Sequence, residues 1–509
     1  MIDLTTLTVE AIQAGFRDGA FTCEALVQAC LDRIGEYNPH YNAIIFPNPA
    51  ALEDARAIDR RRAAGEALGP LAGVPIVVKD PMDMVGFPTT AGWRLLCSKT
   101  GGIDLMPGTD APVVARMRAA GCVILGKTNV PVLSASGTHA NDSWAGPTIN
   151  AAAPSMVPGG SSAGSATAVA AAFAVLGLAE ETGGSIQNPA SAQALVGIKP
   201  TFALVPNTGV MPLSSQRDVV GPLARCVRDA ALALDVLAGF TIADPKTTAS
   251  FGHVPAGGYA AGLSTSVLAG KRLGLYGPGW RDMPLSDGTT ALYRRAQGEL
   301  TGAGAVLVDD PFAGSGFSAI GHTIPESDNE FDARGLESVP HDLDNYLKRL
   351  GPAAALKSFA EFAAATAAEN PFGPGGVLQY LHRLPQFAAS LADPSAPPDM
   401  SDFAGARTAY LEIVHRVFDE VKLDALVFPQ MRTALPALHA GERIHETTVC
   451  EINIAGLPGV TVPAGYHDNG APFCLIFVGR PWSEKLLLSL AYDYEQATGH
   501  RRVPALDRG

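Results

Sequence analysis

Residues 158–201 read PGGSSAGSATAVAAAFAVLGLAEETGGSIQNPASAQALVGIKPT, and this stretch decides the class of fold. It predicts a Gly/Ser loop, a helix of small residues, a short buried strand and a second Gly/Ser turn. Such alternation of helices with short apolar strands is typical of α/β proteins. The wider segment 143–198 carries only two charged side chains in its 56 residues, Glu180 and Glu181, although 17% of the whole chain is charged. A segment so poor in charge is expected to lie at the centre of the molecule.

On both sides of this stretch, hydrophobic periodicity predicts more helices and short strands. Thr8 and Thr22 are placed to cap two amphipathic helices within residues 8–35. Further helices are predicted at about 50–62, at about 110–120 and in the C-terminal string LLLSLAYDYEQATG, and short strands at 74–78, at 122–125 and within KRLGLYG, AVLVDD, DALVFP and GVTVPAG.

Composition narrows the classes of function. The chain has 509 residues, a length that by itself suggests about three domains, and its 47% hydrophobic content argues against disorder. The net charge of −13 disfavours nucleic acid and anionic membranes as partners, because both attract basic surfaces. The sequence contains no apolar run of about 18 residues and no signal-peptide pattern, so we expect no membrane association and a cytoplasmic location.

The cysteines and histidines give no indication of a metal centre. The seven cysteines are scattered without a C-x-x-C pair, so neither a disulfide framework nor a zinc ribbon is predicted. The eleven histidines form no H-E-x-x-H motif. We therefore expect a protein that needs neither a cofactor nor a metal.

Two short motifs match catalytic patterns but lack the structural context that those patterns need. Residues 121–128, GCVILGKT, match the phosphate-loop pattern, yet their apolar middle favours a strand and a helix precedes them. Residues 160–164, GSSAG, match the nucleophile elbow G-x-S-x-G with Ser162 as nucleophile, but no buried strand precedes them. Nucleotide binding and an α/β-hydrolase elbow are therefore both disfavoured.

Three separate elements favour a serine nucleophile assisted by a lysine. Lys79 directly follows the apolar run VPIVV, and ligand crevices open at strand ends in α/β sheets. The serines of GGSSAGS and Ser185 of TGGS lie in loops that could converge with it. A serine hydroxyl needs a base, and a buried lysine can serve because desolvation lowers its pKa from about 10.4. Each feature taken alone also fits ordinary chemistry, such as an ion pair of Lys79 with Asp80 or a serine in a loop or helix cap.

Together these strings resemble the amidase signature family. Besides residues 158–201, the matching strings are LAGVPIVVKD (71–80), AAGCVILGKTN (119–129), DVVGPLARCVRDAALALDVLAG (218–239) and INIAGLPGVTVPAG (452–465). The similarity covers roughly residues 8–240 and 421–497.

The resemblance implies one large α/β domain, residues 1–509, in place of the three that the length suggests. A mixed central β-sheet would be covered by helices on both faces. The core would comprise 60–240 and 421–497, and a variable, substrate-lining segment would span about 245–420.

The resemblance also implies a Ser–cis-Ser–Lys triad. Ser185 would be the nucleophile, Ser161 the bridging serine after a cis Gly160–Ser161 peptide bond, and Lys79 the base. The 24-residue separation of Ser161 and Ser185 agrees with the family pattern. Neutral Lys79 would accept a proton through Ser161 while Ser185 attacks the carbonyl carbon, and water would then hydrolyse the acyl-Ser185 intermediate.

Other residues around this triad are expected to have supporting roles. Ser162 is expected to support Lys79 or the loop, and Asp218 to support the active-site loop. Backbone N–H groups of the second Gly/Ser turn are expected to form the oxyanion hole, namely those of Thr182, Gly183, Gly184 and Ser185.

Two departures from the family pattern bear on the substrate. Glu181 replaces the usual Asp before the TGGS turn, which is a mild change. Gln187 replaces a common Arg, and the loss of a side chain suited to a carboxylate clamp disfavours an anionic substrate. Alternatively, the Arg was structural and Gln187 keeps a hydrogen bond. Aromatic side chains of the middle segment either line an apolar pocket or pack helices: Phe331, Tyr346, Phe359, Phe362, Phe372, Tyr380 and Phe387.

The sequence therefore predicts a serine-dependent hydrolase of uncharged small amides, with anilides or carbamates as further substrates. An alternative within the family is the glutaminase-like A subunit of a tRNA-dependent amidotransferase, which would require partner subunits. A more remote alternative is a non-catalytic binding protein on the same scaffold. The oligomeric state stays open, and a homodimer is one of the options.

Overall fold

The computed structural model describes residues 2–321 and 331–509. Within these residues the strands are β1 (Ile44–Pro47), β2 (Pro75–Lys79), β3 (Val123–Thr128), β4 (Leu176–Glu181), β5 (Val196–Lys199), β6 (Val219–Ala224), β7 (Arg272–Leu275), β8 (Val306–Val308), β9 (Ala425–Pro429), β10 (Gly459–Tyr466) and β11 (Pro472–Val478).

The same residues form α-helices and short 3-10 turns. The α-helices are α1 (Val9–Arg17), α2 (Cys23–Tyr41), α3 (Ala51–Ala63), α4 (Pro112–Ala119), α5 (Ala163–Ala170), α6 (Gln187–Ala192), α7 (Val227–Leu237), α8 (Asp287–Gly302), α9 (Val339–Arg349), α10 (Phe359–Ala365), α11 (Phe387–Ala392), α12 (Ser401–Val421), α13 (Cys450–Ile454) and α14 (Glu484–Thr498). The 3-10 turns are Arg94–Leu96, Ser98–Thr100, Val132–Ser134, Pro245–Ser250, Phe317–Ala319, Leu336–Ser338, Ala367–Glu369 and Gln379–Arg383.

All the strands belong to one mixed sheet, which confirms the predicted α/β class. Their order is β1-β3-β2-β4-β6-β5-β10-β11-β9-β7-β8. β2 runs parallel to β3 and β4, whereas β4 runs antiparallel to β6. The carboxyl end of β2 and the carboxyl end of β4 therefore meet at one edge of the sheet, where Lys79 and the TGGS turn lie.

Helices cover both faces of this sheet, as the resemblance implied. Successive residues of a strand point to opposite faces. In β9, Val427 packs into the core that contains Tyr494 of α14, whereas Phe428 packs into a second core with Tyr410 of α12. A helix therefore closes each side of the sheet at β9.

The N-terminal helices begin where the sequence predicts. Thr8 and Thr22 are the N-caps of α1 and α2, and their hydroxyls accept hydrogen bonds from Ala11 N (3.1 Å) and Ala25 N (3.0 Å). Each cap satisfies a backbone N–H at a helix start that would otherwise lack an acceptor.

The charge-poor segment lies at the centre of the molecule, as expected. Every residue from 156 to 198 is buried except Gly183, which is partly exposed. This stretch supplies β4, α5, α6 and most of β5.

The phosphate-loop match at 121–128 is a buried strand, β3, preceded by helix α4, as its composition indicates. The Lys127 amine is fully buried and donates to Pro88 O at 2.7 Å. This amine therefore makes a structural hydrogen bond and is not exposed to bind a phosphate.

Several other expectations concern the whole chain. No helix among the described residues is long and apolar enough to cross a membrane. No disulfide joins the cysteines that the structure describes. The division into a core and a variable segment at 245–420 stays a prediction, and residues 322–330 of that segment lie outside the described residues.

Candidate active site

Lys79 is the last residue of β2, and its side chain is fully buried. Its Nζ donates to Ser161 Oγ at 2.6 Å, to the Glu180 carbonyl oxygen at 3.0 Å and to Glu180 Oε2 at 2.7 Å. Burial lowers the pKa of Lys79, and the carboxylates of Glu180, Asp218 and Glu181 oppose this effect. Desolvation therefore favours the neutral amine, whose two hydrogens suffice for the two Glu180 oxygens and whose lone pair could then accept the Ser161 proton.

The two serines of the first loop make separate contacts, Ser161 with Lys79 and Ser162 with the backbone of Ser185. The Gly160–Ser161 peptide bond is cis, as the resemblance implied, and Ser161 is fully buried beside Lys79. Ser162 donates from Oγ to the carbonyl oxygen of Ser185 at 2.6 Å. Among the described residues, no hydrogen bond joins the Ser161 and Ser185 hydroxyls. Ser162 thus anchors the backbone of Ser185, whereas Ser161 contacts the lysine.

The second turn presents backbone donors beside Ser185. Within the described part of the chain, the N–H groups of Gly183, Gly184 and Ser185 have no hydrogen-bond acceptor. Gly184 has φ +92°, and a Cβ there would lie 2.9 Å from Asn188 Nδ2. Glycine is therefore required at this position, and the N–H groups that it orients are available to a ligand oxygen.

Asp218 holds the start of this turn from the side. Thr182 Oγ1 donates to Asp218 Oδ1 at 2.5 Å, and Asp218 Oδ2 accepts from Leu213 N at 3.0 Å and Ser214 N at 2.9 Å. Burial, with the negative charge of Glu180, raises the pKa of Asp218 to about 7. Asp218 thus joins the 213–214 backbone to the turn without touching Ser185.

Glu181 holds the other end of the turn. Its Oε2 accepts from Ile186 N at 2.8 Å and Gln187 N at 3.1 Å, and its Oε1 accepts from Asn453 Nδ2 at 2.7 Å. The Gln187 side-chain amide also donates to Glu181 Oε1. Gln187 is buried and does not line the cavity. Its position therefore fits a structural hydrogen-bonding role better than a role in substrate binding.

Ser185 opens onto a cavity of about 210 Å³. Its wall combines the turn with apolar or aromatic side chains and with polar or charged ones. The first group includes Leu213, Phe331, Leu336, Tyr380, Ile444 and Val449, and the second includes Ser134, Ser136, Thr138, His139, Arg281, Glu442, Arg443 and Glu446. Arg281 is neutralised within the wall, because its Nε and Nη2 donate to the two carboxylate oxygens of Glu451 at 2.7 and 2.8 Å. The described wall is thus mixed, with apolar and aromatic side chains beside polar and charged ones.

The aromatic residues of the middle segment divide between the two expected roles. Phe331 and Tyr380 line the cavity, with their rings in edge contact at 6.3 Å. The other five do not line the cavity and are buried in the hydrophobic core against which Phe331 and Tyr380 pack: Tyr346, Phe359, Phe362, Phe372 and Phe387. Most of the segment's aromatic side chains therefore stabilise the fold.

Sequence reasoning assigned no role to several residues that contact this site. Glu180 binds Lys79, Asn453 binds Glu181, and Arg217 donates from Nε to the carbonyl oxygen of Thr182 at 3.1 Å. Glu180 carried a usable signal, because it is one of two charges in an otherwise uncharged segment. No group of three His, Cys, Asp or Glu side chains among the described residues is arranged to hold a metal ion.

Comparisons with known proteins show the family of this chain. A family model described as Amidase matches residues 25–488. The chain is 33% identical to the A subunit of the glutamyl-tRNA(Gln) amidotransferase of Chloroflexus aggregans, over 100% of both chains. It is 31% identical to a probable amidase of Arabidopsis thaliana, over 98% of this chain and 91% of that protein. The crystal structure of the peptide amidase from Stenotrophomonas maltophilia superimposes with a TM-score of 0.80 at 33% identity, covering 99% of both chains.

Proposed function

The chain belongs to the amidase family, and on that premise we propose that it hydrolyses uncharged small amides through an acyl-Ser185 intermediate. The observation that carries this proposal is the 2.6 Å contact between Lys79 Nζ and Ser161 Oγ, directly behind the turn that exposes Ser185 to a cavity. A buried amine, a bridging hydroxyl and an accessible serine are the parts that this acyl transfer needs.

The proposed acylation moves one proton along two hydroxyls. Ser185 Oγ attacks the carbonyl carbon and passes its proton to Ser161 Oγ, whose own proton goes to neutral Lys79 Nζ. Collapse of the tetrahedral intermediate breaks the C–N bond, and the leaving amine takes a proton back from Lys79 through Ser161. Hydrogen bonds of this kind are often incomplete in a free enzyme and tighten when substrate binds, and the proposal requires that the Ser185 hydroxyl then donates to Ser161 Oγ.

The oxyanion of the tetrahedral intermediate would bind to the N–H groups of the turn. The proposed donors are the N–H groups of Thr182, Gly183, Gly184 and Ser185, for which no acceptor is found among the described residues. Removal of one donor from such a site typically costs about 2.7–4 kcal/mol of transition-state stabilisation. Thr182 would also act through its hydroxyl contact with Asp218, which fixes the start of the turn.

The volume and the wall of the cavity bear on the substrate that we propose. Its volume of about 210 Å³ is below the roughly 300–1,000 Å³ typical of sites for drug-sized ligands. Phe331 and Tyr380 suit an aryl or alkyl substituent. The charged side chains of the wall are two Arg and two Glu, so they favour neither an anionic nor a cationic substrate: Arg281, Arg443, Glu442 and Glu446. Amides, anilides and carbamates share the carbonyl that Ser185 would attack, so all three classes are proposed substrates.

A second candidate is a glutaminase-like component of an amidotransferase. The full-length similarity to the A subunit of such an enzyme favours it. This function predicts release of ammonia from glutamine and co-purification with stoichiometric partner subunits. Hydrolysis of simple amides by the purified chain alone, with glutamine inert, would exclude it.

A panel assay tests the proposal. Wild type and Ser185→Ala are compared on amides, anilides, esters and carbamates, with release of amine or alcohol as the readout. We expect turnover of at least one uncharged class by wild type and loss of that turnover in Ser185→Ala. Undiminished turnover in Ser185→Ala would refute the mechanism, and no turnover anywhere would favour the amidotransferase or the non-catalytic function.

A further inference from the structure

Glu180 touches the proposed base but has no part in the mechanism above. The residue lies on β4, and its side chain is only 1% exposed. Its carboxylate and its own carbonyl oxygen take two of the three contacts of Lys79 Nζ, at 2.7 and 3.0 Å. The remaining contact goes to Ser161 at 2.6 Å. Glu180 thus fixes the direction in which the amine faces Ser161.

Glu180 is also the carboxylate in direct contact with the amine. The other charged groups that face Lys79 are Glu181 on the same strand and Asp218 just before β6. Glu181 is engaged by the backbone after Ser185, and Asp218 by Thr182 and the 213–214 backbone. The positive charge of Lys246 lowers the pKa of Asp218 and so partly opposes the effect of burial on that carboxyl group.

We infer that Glu180 is a positioning residue that holds the Lys79 amine against Ser161 and sets how readily the amine accepts the serine proton. This inference rests on the proposed function. When the Ser161 proton reaches Lys79 Nζ, the ammonium forms against the ionised Glu180 carboxylate, so positive charge appears beside negative charge in a buried site. The proton later leaves by the same route.

The physical basis is an opposition between burial and charge. Burial lowers the pKa of Lys79, and the Glu180 carboxylate raises it again. Without that carboxylate the amine would be neutral at lower pH but a weaker base. A weaker base makes the proton transfer less favourable in the transition state.

Glu180→Gln tests the inference, because the amide keeps the shape and an acceptor oxygen but removes the charge. We expect the acidic limb of the kcat/KM profile to move to lower pH by about 1 unit or more, the usual effect of removing an adjacent opposite charge. The plateau of kcat/KM should fall at the same time. Glu180→Thr, which also removes the charge, supplies the same measurement if Glu180→Gln does not fold.

Glu181→Gln is the matched control, because it removes a buried charge one residue away that contacts the turn and not the amine. Its acidic limb should move to lower pH by clearly less than that of Glu180→Gln, because Glu181 acts on Lys79 without contacting it. A Glu180→Gln profile that falls equally at every pH, or whose limb moves to higher pH, would overturn the inference and leave Glu180 a purely structural residue.

Labelling separates this result from failure of the proposed function. The rate at which a fluorophosphonate labels Ser185 is measured against pH by intact mass in both proteins. If wild type is labelled and the Glu180→Gln limb does not shift, only the inference fails. If wild-type Ser185 is not labelled and no amide is cleaved, the proposed function fails and the inference falls with it.

Discussion

Replacement of Arg281 by Met should destabilise the protein strongly, because it leaves the Glu451 carboxylate buried without its partner. The side chains of Arg281 and Glu451 are only 5% and 9% exposed and are joined by bonds of 2.7 and 2.8 Å. Loss of one member of such a buried pair costs about 3–5 kcal/mol. Met fills much of the vacated volume, so little of this cost comes from a cavity.

The assay is urea unfolding followed by tryptophan fluorescence and circular dichroism, with coincident transitions as the test of two-state behaviour. The double variant Arg281→Met/Glu451→Gln should recover part of the loss, because no uncompensated charge remains. Arg416→Met is the surface control, since Arg416 and Glu420 are exposed and 3.8 Å apart, and its effect should stay within about 0.5 kcal/mol. If Arg281→Met lowered the free energy of unfolding by less than about 1 kcal/mol, the claim that Arg281 and Glu451 form a stabilising buried ion pair would be refuted.

Three further outcomes are expected. Lys79→Met should lower kcat/KM by about 10²–10⁴-fold, the contribution of a general base, and a loss below tenfold would remove Lys79 from that role. Phe331→Ala should lower kcat/KM for aryl-bearing amides about 10-fold more than for acetyl amides, and equal losses would place the aryl group elsewhere. Burial raises the pKa of Asp229 from 3.8 to about 6, so the folded state holds its proton more tightly than the unfolded chain and stability falls as pH rises through that interval. Asp229→Asn should therefore flatten the fall of the urea midpoint between about pH 4 and 7, and an unchanged slope would contradict that shift.

Local sequence signals located the elements of this fold. Thr8 and Thr22 cap helices because a hydroxyl before an amphipathic run satisfies a backbone donor at the helix start, which is a purely local interaction. The apolar middle of residues 121–128 favoured a strand over a phosphate loop for a similarly local reason. The mixed sheet with helices on both faces came from family resemblance, since strand pairing depends on distant residues.

The partners of the site residues could not be predicted, because they come from other parts of the chain. Asn453 reaches Glu181 across 272 positions, and no local pattern indicates that contact. The aromatic residues of the middle segment have the same composition whether they line a cavity or pack a core, so the sequence could not separate Phe331 from Phe372. Glu180 was conspicuous as a charge, but only the fold shows that it faces Lys79.

The most direct test of the acyl-serine account is to locate the modified residue after reaction with a fluorophosphonate. Wild type, Ser185→Ala and Ser162→Ala are treated, digested and mapped by mass spectrometry. We predict one phosphonyl group on Ser185 in wild type and in Ser162→Ala, and none in Ser185→Ala. Modification of Ser162, or labelling that survives in Ser185→Ala, would contradict the account.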